Sequence, residues 1–357
     1  MIPNAALIPT PDAIPVAWGW FYVLLVLTFL LHLLVMNAML GGGIIALLNS
    51  LRRGEQNTLL SKEFSYKWPY TIAIAVNMGV APLLFIQVLY GHFIYSSSIL
   101  MASWWLSIIL MLILAYYSAY IYAFKFDSLG ALRSWVAGFS VVLLLYIAFL
   151  FSNNMTLMLQ PERWSAYFAD GGGRFLNTAD PTLIPRYLHF VIGAVAVAGL
   201  YLALIGRFNF VKSTVNPQTL IAQGMRYFTI ATAISVALGF WFLLALPKNI
   251  MLLFMGGSIY GTALLLLGLM LTGVALYLGH NRQVIKTSIA TLALLIIMVL
   301  MRDLVRTGFL APYFSMSELQ VIPEYSPLIF FLVVFAGGLA LVGYMLKLAL
   351  ECRKEVE

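Results

Sequence analysis

The sequence predicts an all-α protein, a bundle of about nine transmembrane helices that forms one integral membrane domain over residues 1–357. Hydrophobic residues make up 62% of the chain and charged residues only 9%, whereas soluble domains carry about a quarter charged residues. The mean hydropathy of +0.96 indicates the same class. A membrane helix needs about 20 apolar residues, and nine stretches approach or exceed that length, at 19–49, 70–97, 103–124, 135–151, 187–206, 227–246, 259–279, 288–301 and 327–346.

The charges between these stretches predict how the helices are oriented. Of the 20 Lys and Arg residues, fourteen fall in the connections on one side and six in those on the other. Because short cytoplasmic loops carry the excess of positive charge, we expect a periplasmic N-terminus and a cytoplasmic C-terminus. The expected location is the cytoplasmic membrane of a bacterium or archaeon, in contact with membrane lipid. The net charge of +7 reflects this bias and does not indicate a nucleic-acid partner.

The single cysteine, Cys352, lies in the last few residues. It excludes a disulfide framework, a thiolate iron–sulfur site and covalent CxxCH haem within this chain. The segment 1–18 lacks the basic region of a cleaved signal peptide, so we expect it to lie outside as an irregular, proline-rich segment. We find no internal repeat and no second domain.

Two histidines in apolar stretches are candidate haem ligands. His189 stands at the start of the fifth stretch, three residues after Arg186, and small residues follow it, against which a flat cofactor can lie. His32 lies within the first stretch, nine residues before Gly41. Ionisable residues inside a membrane helix are functional candidates by default, and neutral imidazole binds haem iron. The alternative is an interfacial or hydrogen-bonded core histidine.

Other residues complete the candidate site. His92, near the outer end of the second stretch, is a ligand, a proton-handling group or an interfacial residue, and His280 is a solvated helix cap. Met255, at the outer start of the seventh stretch, is a candidate thioether ligand, although methionine also fills packing gaps. Carboxylates of a haem pair well with arginine, and four arginines lie on the outer side: Arg174, Arg186, Arg302 and Arg306.

The connection 151–186 is predicted to be a long outer loop. Loops of this length are usually functional, although docking of a partner subunit explains the length equally well. Its polar side chains include Asn154, Gln160 and Glu162. We expect these three to contribute to a quinone site at the outer face, beside His189.

Five motifs follow one another over residues 19–206. They are His32 with Gly41; Gly79-Val80-Ala81 with Gln87 and Gly91; Asp127-x-Leu129-Gly130; Asn153-Asn154 with Gln160-Pro161; and Asp180-Pro181 with Arg186-Tyr187-x-His189. In this order they resemble subunit I of the cytochrome bd quinol oxidases, and the resemblance weakens after residue 206. It implies nine spans with the N-terminus outside. It also implies that His189 and Met255 are the axial ligands of an outer haem b, and that His32 binds a second haem.

The chain departs from that family at positions that serve oxygen chemistry. Gln87 and Ala115 stand at or near positions where the family has Glu. Val299 falls near the family's late Glu ligand, and Asp303 is the nearest acid. The family's long quinol-binding loop is reduced to 246–258. No Asp or Glu falls within the nine predicted spans, so the resemblance indicates an electron-transfer relative rather than an oxidase.

The expected function is therefore that of a membrane subunit with one or two haems b. It would exchange electrons between the quinone pool and a periplasmic partner, such as a cytochrome c or another subunit of a respiratory complex. Two alternatives stay open. One is a bd-type terminal quinol oxidase subunit I, and the other is a haem-free membrane anchor or permease.

Overall fold

A computed structural model describes residues 5–52, 54–169, 171–208 and 215–356. Nine helices of this described part are long and apolar enough to cross a membrane, which confirms the predicted all-α, multi-pass architecture. The helices are α1 Trp18–Leu51, α2 Glu55–Leu100, α3 Ala102–Phe124, α4 Arg133–Met158, α5 Leu183–Phe208, α6 Pro217–Ala245, the short α7 Lys248–Leu252, α8 Ile259–His280, α9 Val284–Leu310 and α10 Tyr325–Val356.

These residues form helices because an apolar segment in lipid must satisfy its backbone hydrogen bonds internally. Polar residues mark several helix ends. Asn216 accepts a hydrogen bond from the amide of Gln218 and caps α6, which has Pro217 in its first turn. Ser258 caps α8 in the same way. Between α6 and α8 the chain forms the short α7 and then one π-turn, Leu253–Gly257.

The helices pack through glycines where their backbones meet. A Cβ on Gly41 of α1 would lie 2.0 Å from the carbonyl oxygen of Ala194 on α5, so α1 and α5 approach too closely for any side chain there. Between α5 and α6, a Cβ on Gly199 would lie 2.7 Å from the carbonyl oxygen of Gly224. Small residues commonly permit such contacts between membrane helices. Helix α5 is therefore held directly between α1 and α6.

The contact between α1 and α5 relates the depths of the two candidate histidines. The two helices run parallel, and Gly41 meets Ala194. His32 precedes Gly41 by nine residues and His189 precedes Ala194 by five. At about 1.5 Å of rise per residue, the four-residue difference corresponds to about 6 Å along the helix axes. His32 and His189 therefore lie at similar depths on adjacent helices.

Several predicted boundaries are wrong; for example, α2 begins at Glu55 rather than at residue 70, and α6 begins at Pro217 rather than at residue 227. Two other boundaries bear on the candidate site. Helix α4 continues to Met158, so the predicted loop 151–186 begins later and Asn154 belongs to a helix. Helix α9 continues to Leu310, so Asp303 lies within a span, contrary to the prediction that no span contains an acid. The predicted spans ended too early because hydropathy falls at polar residues. The side chains of Asn154 and Asp303 instead find partners within the bundle, so the helices continue through them.

Helix α10 stands apart from the rest of the bundle. Its apolar stretch Tyr325–Leu348 has no buried residues, whereas the other eight spans all bury part of their surface. The candidate site is therefore formed by the other helices of the bundle.

Candidate functional site

The imidazole of His189 on α5 is held by α6. Its Nδ1 lies 3.0 Å from the carbonyl oxygen of Ser235. Since a carbonyl only accepts hydrogen bonds, Nδ1 of the neutral ring carries the proton and Nε2 keeps its lone pair. Gly239 follows Ser235 by one helical turn, and a Cβ there would lie 3.3 Å from Cε1 of the ring. The missing side chain at Gly239 leaves room for the imidazole against α6.

His32 on α1 is held by α2 in the same way. Its Nδ1 lies 3.1 Å from the carbonyl oxygen of Ala75. Gly79 follows Ala75 by one turn, and a Cβ there would lie 2.9 Å from Cε1 of the ring. Any side chain at Gly79 would therefore displace the imidazole.

The two histidines thus share one arrangement. Each donates from Nδ1 to a carbonyl four residues before a glycine on the next helix, and neither Nε2 has a hydrogen-bond partner among the described residues. Histidines that bind a metal through one nitrogen commonly donate the other N–H to such an acceptor. Sequence reasoning found both histidines but missed Ser235, Gly239 and Ala75. Only the helix pairing shows that these residues face the rings.

A cavity of about 300 Å³, here called the His189 cavity, lies between α1, α4, α5, α6, α8 and α9. This volume is at the lower end of the range for small-molecule sites. His32 does not line it, although its neighbour Leu33 does. The wall is mainly apolar and includes glycines that flatten it, at Gly193, Gly239 and Gly268.

Three arginines line the His189 cavity, Arg186 near the start of α5 and Arg302 and Arg306 on the last turns of α9. The positive charges of Arg186 and Arg306 both repel that of Arg302. Nε of Arg186, and Nε and Nη1 of Arg306, have no hydrogen-bond partner among the described residues. Because a buried charge without a partner is costly, this end of the cavity is complementary to an anionic group.

Two carboxylates lie by the arginine cluster: Asp303 within it, and the buried Asp180, which acts on Arg186. Asp303 forms an ion pair with Arg306 and accepts a hydrogen bond of 2.8 Å from the hydroxyl of Tyr22 on α1. Arg302 instead lies 4.2 Å over the ring of Phe29. The three arginines thus face two carboxylates, Asp303 and Asp180, and the cluster keeps an excess of positive charge.

Further unpaired polar atoms belong to residues that line the same cavity. They are Oδ1 of Asn37, Oγ of Ser235 and Oγ1 of Thr291, none of which has a hydrogen-bond partner among the described residues. Native proteins leave few buried polar atoms unpaired. These three atoms therefore indicate that a bound group or water completes the cavity.

The structure does not bring Met255 to His189. Met255 lies in the π-turn Leu253–Gly257, where Gly256 takes a left-handed φ of 101°. This turn directs the buried Phe254 into the cavity and leaves Met255 55% exposed and outside the cavity wall. The assignment of Met255 as the second axial ligand is not supported by this placement. Four other methionines line the cavity, namely Met155, Met158, Met298 and Met301.

This placement predicts the outcome of one substitution. We expect Met255→Leu to leave the absorption spectrum and the midpoint potential of bound haem unchanged, because the thioether does not reach the cavity. Met301→Leu, which alters the cavity wall itself, is the matched comparison. A redox titration in which Met255→Leu shifts the potential more than Met301→Leu would restore Met255 as a ligand.

Two of the predicted quinone residues are buried in a hydrogen-bond network. Asn154 on α4 accepts from Ser97 and donates to Ser98 on α2, both at 3.2 Å. Gln160 accepts from the side chain of Asn177 at 2.9 Å. Because these groups join α2, α4 and the segment 159–182, the placement of Asn154 and Gln160 conflicts with their predicted role in quinone binding.

Glu162 differs from these two residues. It lies at the start of the 3-10 helix Pro161–Ala169 and accepts a hydrogen bond of 3.1 Å from the hydroxyl of Tyr313. Burial and the nearby Glu162 carboxylate raise the pKa of Tyr313 to about 12. This shift favours the protonated phenol, which is the form that donates to Glu162.

The site is thus a membrane cavity with one imidazole nitrogen available, an apolar body and a cationic end. This combination can hold a flat apolar ligand that carries a metal and one or more carboxylates. No family model matches the chain, and no curated protein is significantly similar to it.

Proposed function

We propose that the chain binds haem b in the His189 cavity and is a membrane electron-transfer subunit. It would exchange electrons between membrane quinol or quinone and a periplasmic partner, such as a cytochrome c or another subunit of a respiratory complex. The observation that carries the proposal is the position of His189 in a cavity that also exposes three arginines. Haem iron takes an imidazole nitrogen as ligand, and its propionates are carboxylates that arginine binds well.

The residues of the cavity fit such a group. Ser235 fixes the His189 tautomer in which Nε2 is free to bind iron. Arg186 and Arg302 would hold the propionates, and Asp303 keeps Arg306 in place through their ion pair. The apolar wall excludes water from the ring. When bound, the haem supplies one-electron exchange between ferric and ferrous iron, while the protein sets its ligation and surroundings.

We propose His32 as the ligand of a second haem. Its support is the arrangement that it shares with His189, in which Nδ1 is bonded to a backbone carbonyl and Nε2 has no hydrogen-bond partner among the described residues. Their similar depth would place two haems on adjacent helices. Electron exchange within the membrane requires such closely spaced groups.

The proposal is tested by a reduced-minus-oxidised absorption spectrum of the purified protein, together with a pyridine haemochrome measurement of haem per chain. We expect a b-type α band and one or two haems. Colourless protein from cells that make haem normally would contradict the proposal and favour the haem-free anchor or permease.

A further inference from the structure

A second pocket of about 320 Å³, here called the outer pocket, lies at the end of α2 under the chain segments that precede α1 and follow α9. It is lined by Ile8, Pro9, Thr10, Pro11, His92, Pro312, Tyr313, Phe314 and Glu318. We propose that the outer pocket binds the hydroquinone ring of a membrane quinol, with His92 accepting a hydrogen bond from a ring hydroxyl. This inference rests on the proposed electron-transfer function and locates its quinol.

The inner part of the pocket is aromatic. The His92 ring centroid lies 4.2 Å from that of Phe93 and 4.6 Å from that of Phe314. His92 is only 8% exposed, and its imidazole has no hydrogen-bond partner among the described residues. Since His92 lines the pocket, its unused hydrogen-bonding capacity is available to a ligand there. Burial without a partner is costly for a polar group, so a ligand that pairs with His92 is favoured.

The polar groups around the pocket select a ligand that donates hydrogen bonds. Glu318, when ionised, only accepts. The phenol of Tyr313 already donates to Glu162, so towards the pocket it too can only accept. A neutral His92 offers one acceptor nitrogen and one N–H donor, and the hydroxyl of Thr10 can act as either. Acceptors therefore predominate in the lining, which suits hydroxyl groups on a neutral ring. It disfavours phosphates and carboxylates, which Glu318 and the nearby Asp12 would repel.

The residues that line the pocket suit a ring. Pro9, Pro11 and Pro312 supply apolar surface beside the aromatic Tyr313 and Phe314. Aromatic rings favour offset or edge-to-face contacts with one another. A flat hydroxylated ring can therefore contact apolar walls on its faces while its hydroxyls reach His92 and Glu318 at its edge.

The outer pocket adjoins the His189 cavity. Phe314 contacts His92 and also lies 6.1 Å, centroid to centroid, from Tyr90. The guanidinium of Arg306, which lines the His189 cavity, lies 4.6 Å from the centroid of the Tyr90 ring. Two aromatic rings in series, Phe314 and Tyr90, therefore connect the outer pocket to Arg306 in the wall of the His189 cavity. A ring bound in the outer pocket would be a near neighbour of the proposed haem.

The test measures binding of duroquinol, a tetramethyl hydroquinone without a tail, to the purified full-length protein by anaerobic calorimetry. The protein is first reduced with dithionite, so that the titration reports binding without oxidation of the ligand. We expect His92→Phe, which keeps the ring packing and removes the acceptor, to weaken binding about tenfold, the effect of losing one hydrogen bond. His92→Gln restores an acceptor and should stay within about threefold of the parent.

The control is His280→Phe, because His280 is exposed at the end of α8, at the opposite end of the bundle. The His280→Phe variant should bind duroquinol as tightly as the parent. A second measurement needs no variant. An azido-quinone should label the chain within 8–12 or 312–318 on illumination, and labelling confined to the cytoplasmic connections would overturn the inference.

The outcomes separate this inference from the proposed function. Equal duroquinol affinity in the parent and in His92→Phe, with haem present, overturns the outer-pocket inference alone. A protein without haem that binds duroquinol in a His92-dependent way contradicts the proposed function and supports the quinol site.

Discussion

Replacing His189 with Ala is expected to remove one haem b per chain while the protein remains in the membrane. His189 lines the His189 cavity, and Ser235 holds its Nδ1, which leaves Nε2 without a hydrogen-bond partner among the described residues. The substitution removes the iron ligand but leaves the apolar wall and the arginines in place. The membrane helices should persist because their backbone hydrogen bonds are internal. Haem loss should therefore exceed any loss of folded protein.

The measurement is haem per chain with a low-temperature difference spectrum, which resolves overlapping α bands. His280→Ala is the matched control and should keep the parental haem content. Added imidazole should restore part of the missing band, because the deleted side chain leaves space in the cavity wall. Unchanged haem content and spectrum in His189→Ala would rule out His189 as a ligand.

The purified protein is also expected to reduce oxygen at a negligible rate while its haem is reduced rapidly by quinol. Reduction of oxygen to water consumes protons, which a buried site must receive through ionisable groups. Gln87 has no proton that titrates near neutral pH. Ala115 is completely buried, and its carbonyl accepts a hydrogen bond from Ser140. Asp303 does lie within α9, but its carboxylate is engaged by Tyr22 and Arg306.

An oxygen electrode with duroquinol as donor tests this expectation, with duroquinol alone giving the rate of spontaneous oxidation. Stopped-flow reduction of the haem in the same preparation shows that the protein is competent. Sustained oxygen uptake that saturates with quinol and is inhibited by cyanide would contradict the prediction. That result would favour the alternative of a bd-type terminal oxidase subunit.

Sequence alone determined the fold class and singled out two histidines as candidate ligands. Nine apolar stretches predict nine helices because lipid leaves the backbone no other hydrogen-bond partners, and the structure bears this out. His32 and His189 were identified as candidates because an ionisable side chain is costly inside a membrane helix and usually has a function there. Both conclusions depend on local composition, which can be read without knowing which helices touch.

The partners of these residues were decided only by tertiary structure. Ala75 and Ser235 hold the two imidazoles because particular faces of α2 and α6 meet α1 and α5. Gly256, with its left-handed φ, belongs to a π-turn that directs Met255 away from the cavity. The prediction that Met255 is an axial ligand rested on its position in the chain, and the structure does not support it.

Packing also decided that two helices continue past polar residues. Asn154 continues α4 because Ser97 and Ser98 satisfy its amide, and Asp303 remains in α9 because Tyr22 and Arg306 satisfy its carboxylate. Hydropathy treats each residue as if it faced lipid. A polar side chain paired inside a bundle costs far less than one in hydrocarbon, and that pairing depends on residues up to 281 positions away in the chain.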